Sequence, residues 1–413
     1  MSDMVKVVCY GSAKMCERQK AIDEFTTAIL CCEGSERDRY CQILSQLRSG
    51  KKVATDGDPE RQEANMSEEK SFGYEGCTLS VETSDIDNKV TFAPLAKDEK
   101  QIDTPAQDVT IDPGLVYALA VAAAGRHHIL VYGSPSNGRD FITAKISQFT
   151  PNLLAGEQTS VNRIFSIAGL TKPNEKIIQR PFRMPHATAS IEGICGGGPK
   201  CLPGEVSLAH NGVLFLKEAA EFKTSVLQML RVPLENGNIT LSRGGKSTTY
   251  PADFQLVMTT SPCPCGNLGS NNRICLCSAQ SIRQYWAKFS APLLDCIAIR
   301  YNTNERVLPM FIGYSELRKR VKSAIEKQLK RQGKFNQELS EVEVTQSCKL
   351  TYNARNVLDL AVARYNLSPK ATSNIIRLAR TVLDLKDGGW DEIGQPSMEM
   401  AISLYGKLPE QVW

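Results

Sequence analysis

The stretch LVYALAVAAAGRHHILVYGSPSNGRDFITAKI, residues 115–146, constrains the fold of this chain more than any other. A run of small helix-forming residues leads into an apolar segment from His128 to Tyr132, which ends in a glycine loop and restarts as a helix. Apolar residues without alternation, closed by glycine, read as a strand buried on both faces. Two later runs share this texture: HNGVLFLKEAAEF, which ends in charged residues, and DFQLVMTTSPC, with a strand from Phe254 to Thr259. Buried strands alternating with helices predict an α/β fold, a parallel sheet flanked by helices. Ligands of such sheets bind at the carboxyl ends of the strands, where all three runs terminate.

On either side the texture changes. Residues 4–10 read as a strand, and 16–32 as a helical run. Ser35 and Asp38 have capping-box spacing ahead of Tyr40, Ile43, Leu44 and Leu47, with Gly50 closing that helix. Residues 51–70 are charged and poor in apolar side chains, which makes them a linker. Residues 1–70 thus read as a small N-terminal α+β unit with a charged linker. Residues 71–107 read as a connector with short strands near 76–81 and 89–92. Residues 108–301 hold the sheet, and 302–413 are a helical region. There Leu317, Val321, Ile325 and Leu329 share one helix face, and Ser368 caps a helix begun by Pro369.

A chain of 413 residues is long enough for two or three domains. Its net charge of +4 gives no compositional sign of a nucleic-acid binder. No segment approaches the roughly 18 apolar residues of a membrane span, and no apolar stretch follows a basic start. The expectation is a cytoplasmic protein without a membrane partner. Fourteen cysteines therefore read as reduced thiols or metal ligands rather than a disulfide framework.

Four of those cysteines stand apart. SPCPCGNLGSNNRICLCS carries Cys263, Cys265, Cys275 and Cys277 as two Cys-x-Cys pairs in a polar loop. Four thiolates so placed can close a tetrahedral zinc site. The single-residue spacer is tighter than the usual two to four, while Pro262 and Pro264 stiffen the first arm. The alternatives are an iron–sulfur centre and four free thiols. Arg318, Lys319, Arg320, Lys322, Lys327, Lys330 and Arg331 decorate one helix, which reads first as a solvated face and second as a DNA contact. ENGNITLSRGGKS reads as a hairpin presenting Arg243 and Lys246. His186 and His210 read as structural hydrogen-bonders.

The glycine loop GSPSNGRD has the two glycines of a phosphate-binding loop, Gly133 and Gly138, at the right spacing. Ser134, Pro135, Ser136 and Asn137 lie between them. Arg139 and Asp140 follow where such a loop has lysine and a hydroxyl residue. Taken alone the motif reads first as an ordinary turn and only second as a nucleotide site.

RPFRMPHATAS, PGEVSLAHNGVLFLKEAAEF, VLQMLRVPLENGNITLSR and SPCPCG together resemble the magnesium-chelatase-like AAA+ ATPases, in their ComM branch. The resemblance runs from about residue 108 to the C-terminus. The first hundred residues differ from the Lon-protease-like domain that opens ComM proteins. The resemblance implies a P-loop AAA+ core with a helical lid, assembled as a ring with copies of itself or an active paralogue, with DNA a partner in the ComM branch. It implies that the hairpin approaches the ring's pore. ATP or ADP would be held by residues 133–140, Lys217, Ser261 and Lys370.

Several positions depart from the family pattern. Arg139 replaces the loop lysine with a forked, planar cation. Asp140 replaces the magnesium-binding hydroxyl, and Lys217 replaces the metal-directing carboxylate. Glu218 matches the carboxylate that polarises water. Ser261 stands for asparagine, Cys296 for the arginine reaching a neighbouring subunit, and Ser368-Pro369-Lys370 for Ser-Ala-Arg. Magnesium binding becomes doubtful and turnover improbable, leaving Glu218 vestigial, whereas nucleotide binding without turnover survives as an expectation. The exchanged charges predict that Lys217 pairs with Asp140 in the metal's place, a pair whose rupture costs about 3–5 kcal/mol if the site is well buried. An active DNA-dependent motor and a zinc-stabilised interaction scaffold are the competing readings.

Overall fold

A computed structural model of the chain describes residues 4–9, 12–19, 21–22, 35–49, 53–55, 90–92, 112–134, 139–172, 175–243, 246–270, 273–304, 314–386 and 391–406. They fall into two units, residues 1–89 with 308–316, and residues 90–307 with 317–413.

In the first unit β1 (Met4–Cys9) pairs antiparallel with β2 (Ser12–Glu17) and parallel with β3 (Val53–Thr55). The helix expected from Cys16 begins differently: Cys16 and Glu17 close β2, because pairing along all of β1 outweighs a weak local helical preference. β3 likewise lies inside the stretch read as linker, drawn in by its ladder to β1. Helix α1 (Ser35–Arg48) buries Ile43, Leu44 and Leu47 as its spacing predicts. Arg18 Nη1 donates to the Leu47 carbonyl at 2.9 Å, satisfying one of the acceptors a helix C-terminus leaves open. The strand expected at 76–81 lies outside the described residues, and residues 90–92 are irregular, with Val90 buried.

The second unit carries the parallel sheet. Its strands are β4 (Ile129–Tyr132), β5 (Phe182–Arg183), β6 (Val213–Leu216), β9 (Gln255–Thr260) and β10 (Ile299–Asn302). A separate antiparallel hairpin, β7 (Asn238–Arg243) and β8 (Lys246–Pro251), branches off between β6 and β9. The order β10-β4-β9-β6-β5 puts β4 between two partners, with Ile129 opposite both Ile299 and Val257. This is the α/β arrangement of an AAA+ core, and β4, β6 and β9 are the strands legible as unalternated apolar runs. Helix α2 (Pro113–Gly125) is buried nearly all round. Its alanines let it pack closely, and Asp112 caps it while accepting from Tyr301 Oη at 2.7 Å on β10. Further helices follow: α3 (Arg139–Ala144), α4 (Ala155–Ile167), α5 (Ala279–Trp286) and α6 (Ala291–Cys296). Trp286 is wholly buried, edge-on to Tyr132.

The C-terminal helices are α7 (Tyr314–Gln332), α8 (Glu341–Ser347), α9 (Tyr352–Tyr365), α10 (Pro369–Asp384) and α11 (Gln395–Tyr405). Leu317, Val321 and Ile325 form the buried seam of α7. Beside Leu329 the fully buried residue is Gln328, whose amide donates to Ala124 O at 3.1 Å on α2.

A polar latch joins these helices to the sheet. Arg126, in the left-handed region at φ 57°, ends α2 and donates to Asp253 at 3.3 Å and Glu338 at 2.5 Å. His127 contacts Gln337 through Nδ1 at 2.9 Å and Thr381 through Nε2 at 2.7 Å. Asn336 bridges Thr381 and Asp384, and Arg331 grips Asp384 with two nitrogens. Buried groups of this kind hold only while every member keeps its partner.

That condition makes the fold acid-sensitive. Loss of water pushes His127 down to about 3 and His128 down to about 4 from 6.5. Both are neutral when folded, so their stabilisation is complete above the unfolded pKa of 6.5 and is lost as pH falls toward those folded values. Asp253, held below the usual carboxylate range first by Arg126, releases its contribution only beneath this window. Denaturant midpoints should fall between pH 7.5 and pH 5 by an amount worth about 2 kcal/mol per histidine. His127→Gln should remove about half of that dependence; a flat profile across this range in the unaltered protein would contradict it.

Candidate functional site

The carboxyl ends of β4, β6 and β9 meet α3 at one point, and the side chain that fills it is Arg139. Its side chain is 1% exposed. Nη1 donates to the carbonyls of Gly133 and Thr260, both at 2.6 Å. Nη2 donates to Glu218 Oε1, and Nε to Asp140 Oδ1 at 3.1 Å. Four of the five guanidinium N–H groups are thus engaged within the chain. A lysine ammonium could not reach these four acceptors at once, which is the physical content of the Lys-to-Arg departure.

The other expected residues divide. Gly133 has φ +150°, and a Cβ there would lie 2.0 Å from Thr303 Oγ1, so this position requires glycine. Its N–H donates to Thr260 O at 3.4 Å. Ser134 is buried, with its N–H donating to Asn304 Oδ1 at 3.0 Å. Pro135, Ser136, Asn137 and Gly138 lie outside the described residues. Glu218 adopts a left-handed backbone (φ 48°, ψ 58°), and its N–H donates to Thr259 Oγ1 at 3.2 Å. Ser261 Oγ reaches its second carboxylate oxygen at 3.5 Å. Lys217 Nζ stands 3.7 Å from Asp140 Oδ2, so the exchanged charges do pair. The condition for a large cost is not met: the Lys217 side chain is 55% exposed, and water screening reduces the pair to about 1 kcal/mol or less.

Lys370 belongs to a different cluster. Its Nζ contacts Glu235 at 3.5 Å and Cys296 Sγ at 3.3 Å. Cys296 also donates to Pro292 O at 3.3 Å, and burial pushes its thiol above the ordinary range. Next to the Glu218 group, a cleft of about 430 Å³ is lined by Ser261, Glu221, Tyr285 and Lys288 among others.

The four loop cysteines converge. Cys263 Sγ lies 3.4 Å from Cys265 and 3.6 Å from Cys275, Cys265 lies 3.6 Å from Cys275, and all four sulfurs, with Cys277, lie within 4.8 Å of one another. A tetrahedron with Zn–S bonds of about 2.3 Å has edges of about 3.8 Å. Cys263 is wholly buried at the end of β9, where Trp286 Nε1 fixes the turn by donating to Pro262 O at 3.0 Å. A hydrogen bond from the Asn267 backbone, the largest influence, brings Cys265 down to about 6, favouring the thiolate a metal needs. Cys275 and Cys277 are pushed the other way, first by loss of water. Ile274 and Leu276 alternate with these cysteines and are 84% and 91% exposed.

The basic stripe of α7 is partly engaged within the chain, while Lys319 and Lys330 are exposed. Arg320 is buried, Lys327 donates to the carbonyls of Asp384 and Lys386, Arg331 holds Asp384, and Arg318 stacks on Phe92. The hairpin has the expected form, with Thr240–Thr249 and Ser242–Ser247 hydroxyl pairs on its exposed face. Arg243 meets Glu192 at 3.8 Å. His210 Nδ1 accepts from Asp253 N–H at 3.2 Å, and the ring of exposed His186 meets Thr188 Oγ1 at 2.8 Å, consistent with structural roles. Asn304, Thr259 and Thr260 carry site geometry yet offer no motif; only their positions just past or within strand ends mark them.

Residues 106–308 match the family described as magnesium chelatase, subunit ChlI, and residues 314–404 match its C-terminal family. YifB of Escherichia coli, an uncharacterized protein, is 36% identical over 296 residues, covering 69% of this chain and 57% of its own length. Competence protein ComM of Haemophilus influenzae is 35% identical over 297 residues, with the same coverage of 69% and 57%. An uncharacterized Mycobacterium tuberculosis protein, Rv2897c, is 35% identical over 280 residues, 65% of this chain and 55% of its own. The matched region thus spans little more than half the length of these relatives. The chain belongs to the magnesium-chelatase family.

The two cations at the site predict unequal mutational costs. Arg139→Ala strands two buried carbonyls and a carboxylate and should destabilise by about 3–5 kcal/mol. Lys217→Ala should cost about 1 kcal/mol or less. Denaturant titrations of the two variants giving equal losses would show that Arg139 is not the anchor described.

Proposed function

We propose that this chain is a hydrolysis-deficient member of the magnesium-chelatase family that serves as a structural or nucleotide-sensing subunit of an AAA+ assembly. The observation that carries the reading is Arg139, buried with its guanidinium on Gly133, Thr260, Glu218 and Asp140. In a working site of this kind a free cation meets the phosphates and a free carboxylate orients water. Here the two neutralise each other. Phosphoryl transfer depends on electrostatic stabilisation, of which an arginine finger alone supplies about 10³–10⁵ in rate. Cys296 occupies the position where the family pattern has that arginine.

A magnesium ion does not fit the arrangement, since the Lys217 ammonium stands 3.7 Å from Asp140. Nucleotide binding would depend on the backbone of residues 133–138 and be indifferent to magnesium. The cysteine sulfurs, by contrast, fit zinc in spacing and softness. A zinc ion bound there would supply structural closure of the loop rather than chemistry. This supports the accompanying reading of a zinc-stabilised scaffold, partnered in a ring by its own copies or by an active paralogue. DNA is carried by the resemblance to ComM; the internal use of most α7 cations does not favour it.

Purified protein should hydrolyse ATP at background level with or without DNA, and Arg139→Lys alone should not restore turnover. DNA-stimulated hydrolysis abolished by Glu218→Gln would sink the reading in favour of an active motor. Elemental analysis of protein purified under reducing conditions should give about one zinc per chain, removed by the Cys275→Ser, Cys277→Ser double variant. Metal-free protein, or metal content unchanged in that variant, would count against the zinc site.

A further inference from the structure

One side chain joins the glycine loop to the cysteine loop. Asn304 follows β10, and its amide oxygen accepts from Ser134 N–H at 3.0 Å while its Nδ2 donates to Leu268 O at 2.9 Å. Asn304 is itself fixed, its N–H donating to Asn302 Oδ1 at 3.1 Å. Thr303 N–H extends the β10–β4 ladder to Tyr132 O at 2.9 Å. Both sides of the joint are tight. A Cβ on Gly133 would lie 2.0 Å from Thr303 Oγ1, and a Cβ on Gly269 would lie 3.2 Å from Asn304 Nδ2. Glycine on each side therefore permits the close approach.

We propose that Asn304 is a positioning residue through which a metal ion held by Cys263, Cys265, Cys275 and Cys277 sets the geometry at which the glycine loop leaves β4. The inference rests on the zinc reading above and names how that site would regulate the nucleotide loop. Residues 266–270 are polar or glycine apart from Leu268, which packs against the core, and the Gly266 N–H donates to Cys263 O at 3.0 Å, so the segment that carries the Leu268 carbonyl is tied directly to the cysteine cluster. Losing the metal lets that segment relax, which withdraws the acceptor that orients the Asn304 amide and loosens its hold on Ser134. Linkage makes the effect mutual: whatever rearranges Ser134 changes the affinity of the cysteines for metal.

Hydrogen exchange at the Ser134 amide tests this in the full chain, loaded with Zn²⁺ or stripped by a chelator. Co²⁺ uptake, read from thiolate-to-cobalt absorption, reports the metal site separately. Stripping should speed Ser134 exchange about tenfold in the unaltered protein, the loss expected of one hydrogen bond. Asn304→Asp keeps an oxygen that can accept from Ser134 but loses the donor to Leu268, so Ser134 exchange should no longer respond to metal. Asn304→Ala should make it fast in both states. A protein that takes up Co²⁺ yet shows metal-independent exchange at Ser134 overturns the coupling alone, as does an Asn304→Asp variant that responds as the unaltered protein does. A protein that takes up no Co²⁺ overturns the zinc reading and the coupling with it.

Discussion

A guanidinium removed from water must find acceptors, and Arg139 finds them on the ends of the central strands. The Gly133 and Thr260 carbonyls lie at the carboxyl ends of β4 and β9, and Glu218 lies just past β6. One side chain therefore sets the spacing at which these strands deliver the loops after them. It also gives the left-handed backbone of Glu218 a function, since that turn brings the carboxylate to the cation. Non-glycine residues at such angles persist where surrounding contacts over-determine them. The arrangement resembles a ligand-filled site whose ligand is part of the chain.

Much of this was legible, for reasons that can be named. The runs at β4, β6 and β9 lack alternation because parallel strands are covered on both faces, and that texture survives without any knowledge of partners. The exchanged charges at Asp140 and Lys217 also foretold their pairing. Their exposure did not follow, because burial depends on what else covers a loop. The α7 stripe is solvated only in part for the same reason: Lys327 and Arg331 reach Asp384 and Lys386, more than fifty residues away in sequence. Cys16 reads as helical in isolation and forms strand because β1 is beside it.

The cysteine loop shows how a departure from usual spacing can be accommodated. Single-residue spacers place both sulfurs of a pair on the same side only if the backbone between them is extended. Around Cys275 and Cys277, which meet the other two sulfurs, Ile274 and Leu276 are turned outward. Cys263 gains its position from β9 and Trp286, so one ligand is delivered by the sheet and the rest by the loop. Asn304 had no comparable signature, because its role consists of two bonds to backbone groups far apart in sequence.

The latch at His127 has a consequence for the order of events on the ribosome. Its partner Thr381 lies 254 residues downstream. At about 5–20 residues per second, that residue is made some 13–50 s after His127. Through that interval β4 can pair and α2 can form, but the polar surface built by Arg126 and His127 has no counterpart. The nascent sheet domain is thus born with an unfinished face, and only the arrival of the last helices closes it.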